Sequence, residues 1–498
     1  MNFQELAYLT DPSQSLYFVG IGGISMSGLA ELARSSGHRV GGSDLSENAR
    51  ISHLRDLGAL IFPLQVTENI DQFSPAAIIY SAAIDPQHPE LRRGREKGIP
   101  VIERSDWLGL LNRQYQTVVN VAGTNGKSTT TAMVSQIALD AHLDPTIHLG
   151  AEYESIGSTV HAGSRQLMIS EACEFHRSFL SFYSTMAAVL NLGHDHIDCF
   201  PEMKDVVDVF AEFLAKLEPG SLAILPSFDP YLQDLLAAWK AKNPSSFEKT
   251  EHYYFGYADD PEPEVGAQRL TAENLDLSGG FARMDLSFHD EYLGRLELSV
   301  PGRFNAENAM AALLMGLLLG AEPALAMKSL ADFKGVEGRF TLCGYYRGAQ
   351  IVNDYAHHPD SVKKTLETAH QINHQKIYAC FQPITFSRAE GLAEGFVSAL
   401  QNEDPAILLE VFDDREKNHH FSSREIAEAI VENGGHALFI ESCEELETYL
   451  RERLKEGDMA LLMGQSIRNV GDRLAARHDH YHNRLTIKNT AESANNQK

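Results

Sequence analysis

The chain is predicted to be an α/β protein of three modules, and three observations predict it. Short apolar runs alternate with helix-patterned segments along most of the sequence. Two of those runs break into glycine turns that lead into helices, Gly20-Ile-Gly22-Gly23 and Gly123-Thr-Asn-Gly126. The length, 498 residues, exceeds what one hydrophobic core serves, so three domains is the natural division.

In the first module, residues 1–112, Leu16–Val19, His38–Gly42, Ala76–Ser81 and Pro100–Ile102 read as strands. Ser27–Ser35, Asn48–Leu57 and Glu90–Lys97 read as the helices between them. Apolar strands joined by short helical crossovers form a parallel, Rossmann-like sheet covered by helices. Trp107–Gln116 reads as a bridge to the next strand, at Val118–Ala122. The second module, residues 113–325, is a P-loop ATPase-like α/β unit with a helix pattern from Thr129 and strands at Leu167–Ser170, Ala187–Leu190 and Leu222–Leu225. Arg283–Val300 alternates with period two, as a half-exposed antiparallel piece does, and Ala306–Leu319 is a strongly apolar helix. The third module, residues 326–478, is again Rossmann-like, with strands at Ile351-Val352, Ile377–Phe381, Ile407–Phe412, Ala437–Ile440 and Met459–Met463. Residues 479–498 are polar and are expected to form a disordered tail.

Composition narrows the function. A chain with 43% hydrophobic and 22% charged residues is expected to be soluble and globular. No apolar run is long enough to span a bilayer, and Met1-Asn-Phe-Gln-Glu-Leu lacks the layout of a secretory signal. Cytoplasmic residence without a membrane partner is the expectation. Five scattered cysteines with no Cys-x-x-Cys pair argue against a zinc ribbon or a disulfide framework. A formal charge of −26 repels nucleic acid, so any phosphate must be held locally, by helix N-termini and a few cations.

Five constellations carry chemistry. Strand, Gly123-Thr124-Asn125-Gly126, Lys127-Ser128 and the helix from Thr129 together build a phosphate cradle. Backbone N–H groups face the anion, Lys127 neutralises it, and the Ser128 hydroxyl reaches a Mg²⁺. Val121 stands where the full Walker pattern has its first glycine. The turn Gly20-Ile-Gly22-Gly23-Ile-Ser25 seats a diphosphate at a helix N-terminus, although a dinucleotide fingerprint would put glycine at Ser25. Asp44 either takes a ribose hydroxyl or caps a helix. Glu171-Ala-Cys-Glu174 follows a strand, where a carboxylate is placed to hold Mg²⁺; the alternative is a solvated turn. Asn191-Leu-Gly-His-Asp195-His196-Ile-Asp198 offers His196 for a second metal or a phosphate, or is only a capped turn. Asn305 and Asn308 begin a helix, and Arg339, Asp354, His357, His358 and Arg388 gather in the third module, where Arg388 suits a carboxylate.

Taken in order, these segments resemble the Mur ligase family over about residues 15 to 470. The resemblance rests on Val19-Gly-Ile-Gly-Gly23, Ser43-Asp44, Gly123-Thr-x-Gly-Lys127, Glu171-Ala-x-Glu174, Asp195-His-x-Asp198, Asp354-Tyr-Ala-His-His-Pro359 and Phe381-Gln-Pro…Ser-Arg388. The last two favour the alanine-adding branch. The resemblance implies an ATP-dependent ligase that joins L-alanine to the lactyl carboxylate of UDP-N-acetylmuramate through an acyl phosphate, in peptidoglycan synthesis. It implies ATP on Gly123–Thr129, with Asn305, Asn308 and Arg339 on the nucleotide, and Mg²⁺ on Ser128, Glu171 and His196. It implies the UDP-sugar on Gly20, Gly22, Gly23, Ser25, Asp44 and Ser81, and a third domain that closes over both. Catalytic roles would fall to Lys127, Glu171, His196, Asp354, His357 and Arg388, with His357 a candidate for receiving the amine proton. Three positions depart from the family: Asn125 stands where His is usual, Ile384 likewise, and Met463-Gly464-Gln-Ser-Ile-Arg replaces a Gly-Ala-Gly-Asp-type loop.

Other readings stay open on sequence. A sister ligase that reattaches recycled tripeptide shares the first module but lacks Phe-Gln-Pro…Ser-Arg, and folate polyglutamylating enzymes lack the first glycine-turn module. A non-catalytic sugar-nucleotide-binding relative is the reading from another class, opposed by the intact Lys127, Glu171, His196 and Asp354. Monomer and homodimer are both open, as is a metal role for His478-Asp-His-Tyr-His482.

Overall fold

The computed structural model describes residues 3–194, 199–263, 267–413 and 420–476. The chain divides into two compact units. One comprises Met1–Leu275, Met284–Glu297 and Asn305–Val336; the other comprises Asp276–Arg283, Leu298–Phe304 and Glu337–Lys498.

The first unit opens with five strands, β1 (Ser15–Val19), β2 (Arg39–Ser43), β3 (Leu60–Phe62), β4 (Ala77–Tyr80) and β5 (Val101–Glu103), in the order β3-β2-β1-β4-β5. Every pair is parallel, and β1 is the strand at which the order reverses. Ligands of such sheets bind beyond the carboxyl ends of the strands at that reversal, here just past Val19. Helix Ile24–Ser35 begins three residues earlier than its apolar pattern suggests, because Gly23 caps it directly after the turn. The stretch Trp107–Gln116 leads into the strand Thr117–Ala122 and is helical in its first part: the helix Arg104–Asn112 buries Trp107, Leu108 and Leu110. Three apolar anchors within four positions decided that segment, and a short window hides the period.

Inside this sheet Glu90 is fully buried. Its carboxylate accepts hydrogen bonds from Tyr17 Oη at 2.6 Å, Ser43 Oγ at 2.6 Å and Asn69 Nδ2 at 2.7 Å. The contact ties β1 and β2 to helices Thr67–Phe73 and Pro89–Glu96.

The ten strands that follow are β6 (Thr117–Ala122), β7 (Thr146–Tyr153), β8 (Ser158–His161), β9 (Leu167–Glu171), β10 (Met186–Val189), β11 (Leu222–Pro226), β12 (Glu251–Tyr257), β13 (Gln268–Asp276), β14 (Phe281–Phe288) and β15 (Glu291–Pro301). Their order is β15-β14-β13-β12-β11-β10-β6-β9-β7-β8. β6 lies between β9 and β10 and is parallel to both. The reversal therefore falls at β6, and its crevice opens beyond Ala122, with Glu171 on one side and Asn191 on the other. The alternating stretch at 283–300 is two strands around His289-Asp290, both at positive φ, as a two-residue hairpin requires. Ala282, Met284 and Leu286, and then Leu296, Leu298 and Val300, are its buried positions.

The second unit carries β16 (Thr341–Tyr346), β17 (Ala349–Asp354), β18 (Ile377–Phe381), β19 (Ala406–Leu409), β20 (Ala437–Ile440) and β21 (Met459–Met463). They lie in the order β16-β17-β21-β18-β19-β20, parallel except for the β16–β17 hairpin. β19 stops at Leu409 rather than running to Phe412. The Glu410 carboxylate turns aside to accept from Ser422 Oγ at 2.7 Å and from its neighbour Val411 N at 2.8 Å. Among the described residues no helix is long and apolar enough to cross a membrane. The tail and its histidines lie outside the described residues.

Replacing Glu90 with alanine leaves three buried donors without their acceptor, so Glu90→Ala is expected to lower the unfolding free energy by about 3 kcal/mol in urea denaturation. A loss below about 1 kcal/mol would mean that the donors find other acceptors.

Candidate functional site

Four residues separate β6 from the helix Lys127–Asp140, which starts two residues earlier than its pattern predicts. Gly126 is the N-cap at φ 85°, and a Cβ there would stand 2.3 Å from Asn308 Oδ1. Only glycine serves, for conformation and for space. Lys127 and Ser128 are thus first-turn residues, and the backbone N–H groups at the helix start aim out of the sheet crevice. Asn125 donates its N–H to Asn191 Oδ1 at 2.9 Å, and Asn191 Nδ2 donates back to Asn125 O at 2.9 Å. Thr124 Oγ1 donates to Gly193 O at 3.1 Å and accepts from Gly193 N at 2.8 Å. The loop is therefore fastened to the segment after β10 before any ligand arrives. Asn308 Nδ2 donates to Asn305 Oδ1 at 3.2 Å, so both predicted asparagines flank the cradle.

Lys127 Nζ donates to Gly123 O at 2.6 Å and Thr124 O at 3.1 Å, and pairs with Glu174 at 2.9 Å. Burial acts to lower its pKa, but the carboxylates of Glu174 and Glu171 outweigh it, so the ammonium is held above its ordinary value and stays charged. Glu174 itself is 3% exposed. The sequence motif contained Glu174 but assigned it no role; the signal was its place three residues after Glu171, beyond the turn that ends β9. Burial, with Glu174 adding to it, pushes the Cys173 thiol up to about 11, so it is protonated at neutral pH.

Glu171 ends β9 beside Val121 of β6 and accepts from Gly150 N at 3.0 Å. The Ser128 hydroxyl and the Glu171 carboxylate are hard oxygen donors, which suit Mg²⁺ shared with phosphate and water. Glycine at 150 keeps room around Glu171, since a Cβ there would lie 2.7 Å from its Oε2. His196, with Asp195 and Asp198, lies outside the described residues. Among the described residues no cluster of three His, Cys, Asp or Glu side chains could hold a metal ion.

The first glycine turn is built as expected and wired more tightly than expected. Gly22 N donates to Asp44 Oδ2 at 2.8 Å, so Asp44 shapes the turn and also accepts from Ser46 N at 2.9 Å. Gly20 sits at φ 72° beside Ile84, in the turn that Ser81 O closes with Ile84 N at 3.0 Å. Ser25, the second residue of its helix, accepts from Arg104 Nη1 at 2.7 Å. Arg104 in turn acts electrostatically on His148 of β7, which burial and this charge push down to about 3. Neither ring nitrogen of His148 has a hydrogen-bond partner among the described residues. Sequence reasoning missed both: Arg104 fell between the strand at Pro100–Ile102 and the stretch from Trp107, with no assignment, and His148 stood in a strand without a recognisable pattern.

Within the second unit, Asp354 at the end of β17 is buried and accepts from Phe340 N at 2.7 Å, Ala356 N at 2.7 Å and Thr365 Oγ1 at 3.2 Å. Burial raises its pKa, while Arg339 and these donors oppose the rise. Asp354 thereby positions the Arg339 loop, β17 and the helix Pro359–Gln371 relative to one another. Arg339 lies 5.0 Å from the centre of the Tyr355 ring and Arg468 lies 5.4 Å from it, with His357 edge-on at 5.0 Å. Arg468 and Tyr355 went unremarked in the sequence. His358 Nδ1 accepts from Asp360 N at 3.4 Å as the cap of its helix. Arg388 sits in the last turn of helix Phe386–Gly391. The two departures nearby are structured: Ile384 bridges Phe412, and Gln382 Oε1 accepts from Ser466 Oγ at 2.7 Å and Ile467 N at 3.0 Å.

Comparison with known proteins adds to this geometry. Residues 15–116 match the family described as Mur ligase family, catalytic domain; residues 121–316 match the Mur ligase middle domain; residues 338–466 match the Mur ligase, glutamate ligase domain. The chain is 33% identical over 451 residues to the UDP-N-acetylmuramate–L-alanine ligase of Alkaliphilus metalliredigens, covering 90% of this chain and 94% of that one. It is 34% identical over 456 residues to that of Clostridium acetobutylicum, covering 91% and 95%. Among solved structures it is similar to UDP-N-acetylmuramate-alanine ligase from Thermotoga maritima, with a TM-score of 0.75, 26% identity and coverage of 94% and 100%. A murein peptide ligase from Psychrobacter arcticus, at 20% identity and TM-score 0.68 over 93% of this chain and 98% of that one, shares the fold.

Glu174→Gln removes the buried partner of Lys127 and is expected to destabilise the nucleotide-free protein by about 3 kcal/mol. A bound triphosphate would replace the lost charge, so the nucleotide-induced rise in Tm should be larger in the variant than in the parent; an equal rise would mean Glu174 keeps Lys127 in the complex. A second expectation concerns acid. The unfolded chain protonates His148 near 6.5 but the folded chain only near 3, so this contribution to stability is intact above pH 6.5 and is lost as the pH falls toward 3. His148→Leu should therefore flatten the stability profile over that range, as measured by urea denaturation at several pH values.

Proposed function

The chain belongs to the Mur ligase family, and on that footing we propose that it is an ATP-dependent ligase joining L-alanine to the lactyl carboxylate of UDP-N-acetylmuramate, a step in peptidoglycan precursor synthesis. The observation that carries the reading is the match along nine-tenths of the chain to ligases of that name, with a charged lysine at the strand reversal where such a reaction needs it. The uridine substrate would lie on the first module, to about residue 112, and ATP on the second, to about residue 325.

Amide formation from a carboxylate needs an activated acyl group. The lactyl carboxylate attacks the γ-phosphorus of ATP, ADP leaves, and an acyl phosphate forms. The amine of L-alanine then attacks the acyl carbon, and the tetrahedral intermediate expels phosphate. The protein's part is positioning and charge neutralisation rather than covalent chemistry. Lys127 would exchange Glu174 for phosphate oxygens, which offsets repulsion between the carboxylate and the triphosphate. Bound at Ser128 and Glu171, Mg²⁺ would supply further neutralisation of phosphate charge. In the second unit, His357 Nδ1 lies 2.8 Å from Tyr355 O, a group that can only accept. A ring proton therefore sits on Nδ1, and on this reading Nε2 is the nitrogen that would take the proton released by the amine of L-alanine. The five cysteines are all unpaired, in keeping with a cytoplasmic setting.

Lys127→Ala is expected to lower turnover by on the order of 10²–10³-fold while the protein stays folded. In the parent protein, phosphate release should need ATP, L-alanine and UDP-N-acetylmuramate together; release with ATP alone would identify a plain ATPase instead.

A further inference from the structure

We propose that His148 contacts the sugar nucleotide directly, donating a hydrogen bond to an anionic oxygen of that substrate beside Arg104 and the N-terminus of helix Ile24–Ser35. The inference rests on the reading that the first glycine turn takes a uridine diphosphate, and it adds a residue from a different module to that site.

Three independent observations converge on it. His148 is 3% exposed, yet neither of its ring nitrogens has a hydrogen-bond partner among the described residues. An imidazole buried that way is disfavoured, and an apolar side chain of similar size would pack there without the penalty. Next, Arg104 donates to Ser25 Oγ at 2.7 Å and its charge is felt at His148, and the helix that carries Ser25 packs against β7. The helix Ile24–Ser35 is twelve residues long, and Gly23 caps it with no side-chain hydrogen bond, so its N-terminus offers backbone donors to an anion. Last, β7 joins the two ends of the expected substrate. His148, Gly150 and Glu152 occupy every second position of that strand, whose pairing with β8 is irregular between His148 and Tyr153. Gly150 N donates to Glu171 Oε2 at 3.0 Å, at the phosphate-loop end. Glu152 pairs at 3.7 Å with Arg50, whose Nε donates to Gly22 O at 3.0 Å in the glycine turn. His148 lies two residues before Gly150 on this strand, opposite Ser170 of β9, the residue that precedes Glu171. Burial and the Arg104 charge keep its imidazole neutral, with one N–H to give and one lone pair to receive. The substrate has two sources of anionic oxygen for it, the diphosphate and the lactyl carboxylate.

The test uses the full chain and two variants, His148→Leu and His148→Asn, titrated calorimetrically without ATP against UDP and against UDP-N-acetylmuramate, with thermal melting alongside. The expected result is that His148→Leu melts at or above the parent yet binds UDP-N-acetylmuramate at least tenfold more weakly, with the KM for ATP unchanged. His148→Asn, which keeps a donor, should recover part of the loss. A deficit already present with UDP assigns the contact to the diphosphate, and one confined to the full substrate assigns it to the lactyl carboxylate; both support the proposal. Equal affinity of the parent and a folded variant for both ligands overturns it, and if His148→Leu does not fold the same criterion falls on His148→Asn. A parent protein that binds neither ligand overturns the functional reading instead, and the inference with it.

Discussion

β6 ends at Ala122 and the next helix begins at Lys127, so the chain has four residues in which to turn and present the helix start to the crevice. Gly126 completes that turn in the left-handed region, with Asn308 packed where a side chain would be. The rest of the site follows from this constraint. Lys127 falls in the first helical turn, where its ammonium reaches back over the loop to the carbonyls of Gly123 and Thr124. The Asn125–Asn191 clasp then holds the loop to β10, which fixes where the cradle stands relative to Glu171 on β9. A longer turn, or a bulkier residue at 126, would move the helix start and every donor with it.

An acidic protein that handles phosphate needs its positive charge concentrated and kept. With a formal charge of −26, the long-range field opposes an anionic ligand. Lys127 answers this locally: the carboxylates of Glu174 and Glu171 keep it charged, and Glu174 pairs with it. The pairing also prevents an unaccompanied ammonium in a site of low dielectric, which would otherwise lose its proton or destabilise the loop. A single ion pair thus both holds the loop and keeps its cation charged.

The second unit solves a similar problem with a carboxylate in the structural role. Asp354 has three donors on its oxygens, and through them the Arg339 loop, β17 and the following helix take up fixed places. Beside it the Tyr355 ring lies against two guanidinium groups, Arg339 and Arg468, one anticipated from its motif and one supplied by the departing Gly464-Gln-Ser-Ile-Arg segment. A departure from a familiar pattern therefore brought its own cation.

The alternation of apolar runs and helical patterns by itself determined three α/β sheets, because period and apolarity are local properties of the chain. Both glycine turns were legible for the same reason: a strand, a φ that only glycine adopts, and a helix start are contiguous in sequence. The Arg104–Asn112 helix was not legible, since its apolar anchors are too closely spaced to display a period, and the end of β19 was set by the hydrogen bonds of Glu410 to Ser422, twelve residues on. Tertiary structure alone decided which carboxylate meets Lys127, that Asp44 serves the turn through Gly22 N, and that the charge of Arg104 acts on His148 of β7. Those pairings join residues 22 to 47 positions apart, and chain direction and sheet order, not local pattern, bring them together.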